Sequence, residues 1–95
     1  MKQQLVREMV GEQWYEFFPL GMFVVSAPGV CRGRPTFKYT RIEVAGVLER
    51  LAAGHDIEAL IKDSRGRLSR EAIAEAAVLA AKALARQATS RASVT

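Results

Sequence analysis

The sequence predicts a mainly α-helical protein, a three-helix unit of the helix-turn-helix kind preceded by a short β arm of two or three small strands. Three observations lead there. Apolar residues recur at helical spacing from Val44 onward. Residues 22–42 instead hold short runs of β-branched and aromatic residues, broken by Pro28, Gly29, Gly33 and Pro35. A length of 95 residues suits one domain, because a second core would leave each half too small to be stable. Within residues 1–95 the expected order is an aromatic flap over 1–21, a basic β-containing arm over 22–42, three helices over 43–86 and a loose tail over 87–95.

Residues 3–18 carry a weak helical or irregular pattern that ends in Trp14, Tyr15, Phe17 and Phe18, after which Pro19 and Gly21 break the chain. Aromatics this close in sequence read as a flap closing over the core. An exposed subset would instead make a dimer or partner surface, for which Trp14, Phe17 and Phe18 are the candidates. Met22-Phe23-Val24-Val25-Ser26 follows as a strand. Pro28 fixes its own φ and Gly29 accepts positive φ, which predicts a type II turn. Thr36-Phe37, behind the non-donating Pro35, and Thr40-Arg41-Ile42 are two further short extended pieces. Strands this short need helices or a second chain to pack on.

The helical half starts with Val44, Val47, Leu48 and Leu51, one apolar face that ends at Gly54, a residue suited to the left-handed position after a helix. Asp56 is placed to cap a short helix carrying Ile57, Leu60 and Ile61 on one face. Ser69 is placed to cap the longest helix, with Glu71 in its first turn, where the helix dipole favours an acid. That helix is expected to run to about Arg86 with an apolar stripe of Ile73, Ala76, Ala77, Ala80 and Leu84. Ala74, Val78 and Ala81 widen the stripe toward a second packing surface, expected to be a dimer contact.

The charge pattern narrows the function. The net charge is +4, and residues 32–41 hold Arg32, Arg34, Lys38 and Arg41 with no acid before Glu43. Arg65, Arg67 and Arg70 flank the start of the third helix. These seven side chains are candidates for contact with nucleic acid or an acidic protein, and each also reads as a solvated turn residue. The connection from about Asp63 to Ser69 is longer than the turn of a strict helix-turn-helix, and Glu71 and Glu75 would repel DNA phosphates.

A single cysteine, Cys31, excludes an internal disulfide and fits a reducing compartment. It reads as a small packing residue, since the one histidine, His55, lies in a distant turn and no base accompanies the thiol. One His and one Cys cannot build a metal site, and no phosphate loop or nucleophile elbow is present. No enzyme activity, metal or cofactor is expected. No stretch approaches the ~20 apolar residues of a membrane span, and Glu8 and Glu12 interrupt any signal-peptide pattern, so a cytoplasmic protein is expected.

The run Pro28-Gly29-Val30-Cys31-Arg32-Gly33-Arg34-Pro35-Thr36-Phe37-Lys38-Tyr39-Thr40-Arg41-Ile42-Glu43-Val44 resembles the core motif of the domain-of-unknown-function family 433. Leu48, Leu51, Ala52, Ala53 and Gly54 match its continuation, as do Leu68, Ser69, Glu71, Ala72 and Ile73, over roughly residues 24–85. The resemblance implies a small N-terminal sheet before a helix-turn-helix-like fold, usually dimeric. It further implies the antitoxin of a type II toxin–antitoxin pair, binding a PIN-like nuclease and its own promoter DNA. Arg32 and Tyr39 stand where that family often has Gly, and Glu43 where it often has Pro, which predicts a different local turn at Tyr39. Two readings independent of the nuclease stay open, a stand-alone DNA-binding regulator and a purely structural homodimeric module.

Overall fold

The computed structural model describes residues 4–92, with side chains described through Thr89. Its architecture is α+β, which corrects the expectation of a mainly α chain with a short arm. Four antiparallel strands, β1 (Val6–Val10), β2 (Gln13–Pro19), β3 (Val24–Ser26) and β4 (Thr36–Phe37), form one sheet in the order β1-β2-β3-β4. Three helices follow, α1 (Val44–Ala52), α2 (Ile57–Asp63) and α3 (Arg70–Ala92).

The segment expected to be a weakly helical flap is the β1–β2 hairpin. Gly11 and Glu12 form its two-residue loop, and Gly11 supplies the positive φ of +64° that such a loop requires. Val6 pairs with Phe17 and Glu8 with Tyr15 across the ladder. Alternation then sends Tyr15 and Phe17 to one face and Trp14 and Glu16 to the other. The outer face is closed by charge, with Arg7 Nε 2.8 Å from Glu16 and the Arg7 guanidinium 4.4 Å over the Trp14 ring.

The same alternation divides the core at β3. Val25, Phe17 and Ala27 form a small cluster with Val6, Tyr15 and Val30 around it. Val24 belongs to the main core with Phe37, Val44, Val47, Leu60, Leu68, Ala72, Ile73 and Ala76. Adjacent residues of one strand thus serve two clusters, and β3 ties the hairpin to the helices. The strand is shorter than the expected 22–26, because Met22 and Phe23 belong to the loop before it. The backbone at 27–30 closes by Val30 N–H donating to the Ala27 carbonyl at 2.9 Å, yet Gly29 stays out of the positive-φ region, so the turn is not type II. The third expected extended piece is also absent as a strand: Thr40 N–H and its hydroxyl both donate to the Phe37 carbonyl, which makes 37–40 a turn.

The helices lie where periodicity put them. Gly54 ends α1 at φ +98°, and Ser69 Oγ accepts the Ala72 N–H at 3.1 Å to cap α3. Asp56 precedes α2 without a side-chain capping bond. The third helix departs from expectation in two ways. Its buried stripe is Ala72, Ile73 and Ala76 with Leu79 half-buried, whereas Ala77, Ala80 and Leu84 are exposed. It also continues through residues 87–92, where a loose tail was expected, and residues 93–95 lie outside the described part. With 23 residues it is about 34 Å long, and every residue from 80 to 89 is exposed.

Candidate functional site

The expected basic surface sorts into arginines that brace the fold and arginines that do not. Arg34 makes a two-point contact with Glu43, Nε to Oε1 at 2.8 Å and Nη2 to Oε2 at 3.0 Å. That hydrogen-bonded contact, reinforced by charge, lowers the Glu43 pKa below the usual carboxylate range and raises that of Arg34. Arg70 pairs with Glu58, linking α3 to α2. Arg50 Nη2 lies 2.9 Å from Asp63, linking α1 to α2. Among the described residues Arg32, Arg41, Arg65 and Arg67 have no ion pair, and all four are exposed.

Loops carrying the unpaired arginines also hold the strained backbone. The non-glycine residues at positive φ are Cys31 (+50°), Arg32 (+57°), Tyr39 (+66°) and Arg65 (+57°). Each such residue costs on the order of 1–3 kcal/mol, which the surroundings must offset. The expectation that Tyr39 would adopt a different turn is therefore overturned. Its strained geometry is kept and anchored by the hairpin. Tyr39 N–H donates to Tyr15 Oη at 3.0 Å, its own hydroxyl donates to Glu8 Oε1 at 2.7 Å, and the two rings lie 5.4 Å apart. Lys38 Nζ sits 3.9 Å from Glu8 and 5.0 Å from the Phe17 and Tyr39 ring centres. Cys31 Sγ donates to the Arg41 carbonyl at 3.5 Å and fastens one strained loop to the next.

Two open clefts adjoin at Tyr39 and Arg67. One of about 510 Å³ is lined by Tyr15, Val30, Tyr39, Thr40, Arg41 and Arg67 among others. The other, about 390 Å³, shares Tyr39 and Arg67 with it and is also lined by Met22, Phe23, Lys38 and Leu68.

A third feature is an apolar groove of about 380 Å³ where α3 leaves the body. Pro19, Leu20 and Val24 form one wall and Leu79, Ala80 and Ala83 the other, with Lys82 and Arg86 also lining it. Leu84 (67% exposed) and Val78 (52%) add apolar surface on the same helix. From residue 76 to the last residue the chain holds Lys82, Arg86 and Arg91 and no acid.

Of the proposed packing residues, Trp14, Ala74 and Val78 are exposed, Phe18 is half-buried and Phe17 is core at 2% exposure, so Phe17 offers no partner surface. Lys38 is half-buried against aromatic rings. Sequence reasoning missed Glu75, whose carboxylate accepts three backbone N–H bonds from Met22 (2.8 Å), Phe23 (2.7 Å) and Val24 (3.1 Å). It also missed Glu8 and Tyr15 as the anchors of Tyr39. No local pattern signals either arrangement, since the partners are far apart in sequence.

Searches among curated proteins and among solved structures each found no match. A protein-family model described as "Protein of unknown function (DUF433)" matches residues 24–80. The match takes in β3, the strained loops, β4, α1, α2 and the buried part of α3, and leaves out the β1–β2 hairpin and the exposed end of α3. The chain is a member of the DUF433 family.

Proposed function

We propose that this chain is a macromolecule-binding module, the antitoxin of a type II toxin–antitoxin pair, and that it seats a PIN-like nuclease along the exposed end of α3. One observation carries the reading: α3 runs on past the core with an apolar groove at its root and only basic charges beyond Glu75. Apolar surface rimmed by one sign of charge favours a protein partner of opposite sign. Nucleases of the PIN-like kind gather carboxylates around their metal, and guanidinium groups pair well with carboxylates. Arg34, a candidate for this contact from the sequence, is occupied by Glu43, so Lys82 and Arg86 at the groove take its place. A second copy laid antiparallel along the same helix face would meet like charge, which disfavours a homodimer through that face.

Co-expression with a neighbouring small nuclease gene tests the reading. Wild-type chain should restore growth, and Leu84→Asp combined with Arg86→Glu should abolish the rescue without changing the melting temperature. Rescue undiminished by the double variant removes the helix from the mechanism, and no rescue by wild type removes the antitoxin role. A second reading, a DNA-binding regulator, is favoured by the unpaired Arg65 and Arg67 ahead of α3. Its mark is a promoter shift at low salt that weakens steeply as salt rises.

A further inference from the structure

We infer that the cleft between the 39–41 and 65–67 loops binds a nucleotide unit, an aromatic base next to a phosphate. Of the arginines up to residue 70, Arg7, Arg34, Arg50 and Arg70 are spent on carboxylates. The four left over, Arg32, Arg41, Arg65 and Arg67, lie in the same three loops that hold every non-glycine residue at positive φ among the described residues. Strained backbone maintained beside unneutralised cations is the mark of a ligand site more than of a solvated turn, because no carboxylate among the described residues pairs with those cations. Arg41 and Arg67 come from segments distant in sequence and line one cleft of about 510 Å³, a volume in the range of small-molecule sites.

The second half of the ligand follows from Tyr39. This residue is 55% exposed and also lines the cleft. The ring cannot swing away freely, since its hydroxyl is bonded to Glu8 and it packs against the Tyr15 ring. A fixed, half-open aromatic ring next to two guanidinium groups suits a base stacked on the ring with its phosphate on the arginines. Glu8 is the acid that touches this arrangement through Tyr39, and Lys38 and the Tyr39 hydroxyl already engage it. The cleft shares no lining residue with the groove at α3, so the inference stands apart from the nuclease reading.

Calorimetric titration of the full chain at low salt, with AMP, inorganic phosphate and a short single-stranded oligoadenylate, tests it. AMP or the oligonucleotide should bind more tightly than phosphate. Binding of AMP identifies the source as a free nucleotide, and binding of the oligonucleotide alone identifies a strand. Arg41→Gln with Arg67→Gln should weaken binding at least about tenfold. Tyr39→Gly, which suits the positive φ, should lose affinity with the fold verified by circular dichroism. Three outcomes overturn the inference: no binding of AMP or oligonucleotide, phosphate bound as tightly as either, or the arginine double variant binding like wild type. Affinity kept by Tyr39→Gly overturns the nucleotide assignment as well.

Discussion

Glu75 occupies the space that a side chain on Gly21 would need. A Cβ built on Gly21 would lie 2.6 Å from the Glu75 carboxyl carbon, and that carboxylate is held in place by the backbone N–H donors of Met22, Phe23 and Val24. The long helix and the sheet are therefore joined by a glycine and an acid that tolerate change only together.

The expected result is strong coupling. Glu75→Ala leaves three N–H groups without their acceptor and should destabilise by about 2–3 kcal/mol. Gly21→Ala should cost about 1–3 kcal/mol by displacing the carboxylate, but little in the Glu75→Ala background. Urea melts of the two single variants and the double variant read this directly, and additive losses would show that the two residues act independently.

The Arg34–Glu43 contact predicts a pH signature. Folded Glu43 has a lowered pKa, so the contribution of this contact is complete above the ordinary glutamate pKa. It is lost as pH falls through the lowered value. Carboxyl carbon NMR should show Glu43 titrating below the ordinary glutamate range, and Arg34→Ala should raise it toward that range. Both side chains face solvent, so the effect on stability is small and shrinks with salt.

Thr36 is fully buried, and its Oγ1 has no hydrogen-bond partner among the described residues. Thr36→Val keeps the shape and removes the unsatisfied hydroxyl. A gain of about 1 kcal/mol is expected, seen as a higher melting temperature. Thr36→Ala, which opens space instead, should melt lower than wild type.

Arg65 is exposed, without an ion pair, and at φ +57°. Arg65→Asn suits that backbone better and should stabilise by roughly 0.5–1 kcal/mol. Thermal unfolding checks it, and an unchanged melting temperature would mean that the surroundings already offset the strain.

The helices were legible because their signals are local: the spacing of Val44, Val47, Leu48 and Leu51, the stop at Gly54 and the cap at Ser69. The β1–β2 hairpin was not, since Glu8, Glu12 and Glu16 interrupt the apolar pattern and Gly11-Glu12 is a weaker turn signal than Asn-Gly. Its readable traces were Gly11 and the alternation of Tyr15 and Phe17. At Tyr39 the sequence identified the right position and the wrong outcome. The strain was avoidable by a different turn, yet Glu8 and Tyr15, in strands the reading had missed, hold the original one. The basic segment was visible as charge, but which arginines are free depends on acids such as Glu58 that only the fold brings near.

The uncovered end of α3 has a consequence for recognition energetics. Alanine fills positions 77, 80, 81, 83, 85 and 88, and alanine loses the least on entering a helix. This stretch therefore needs little burial to stay wound, and its first turns are continuous with a helix already nucleated by the core. A molecule that docks along it meets a surface whose backbone ordering was completed when the domain folded. Little of the contact energy then goes into winding the helix, and the complex is tighter by that difference than one built on a segment that coils only when bound.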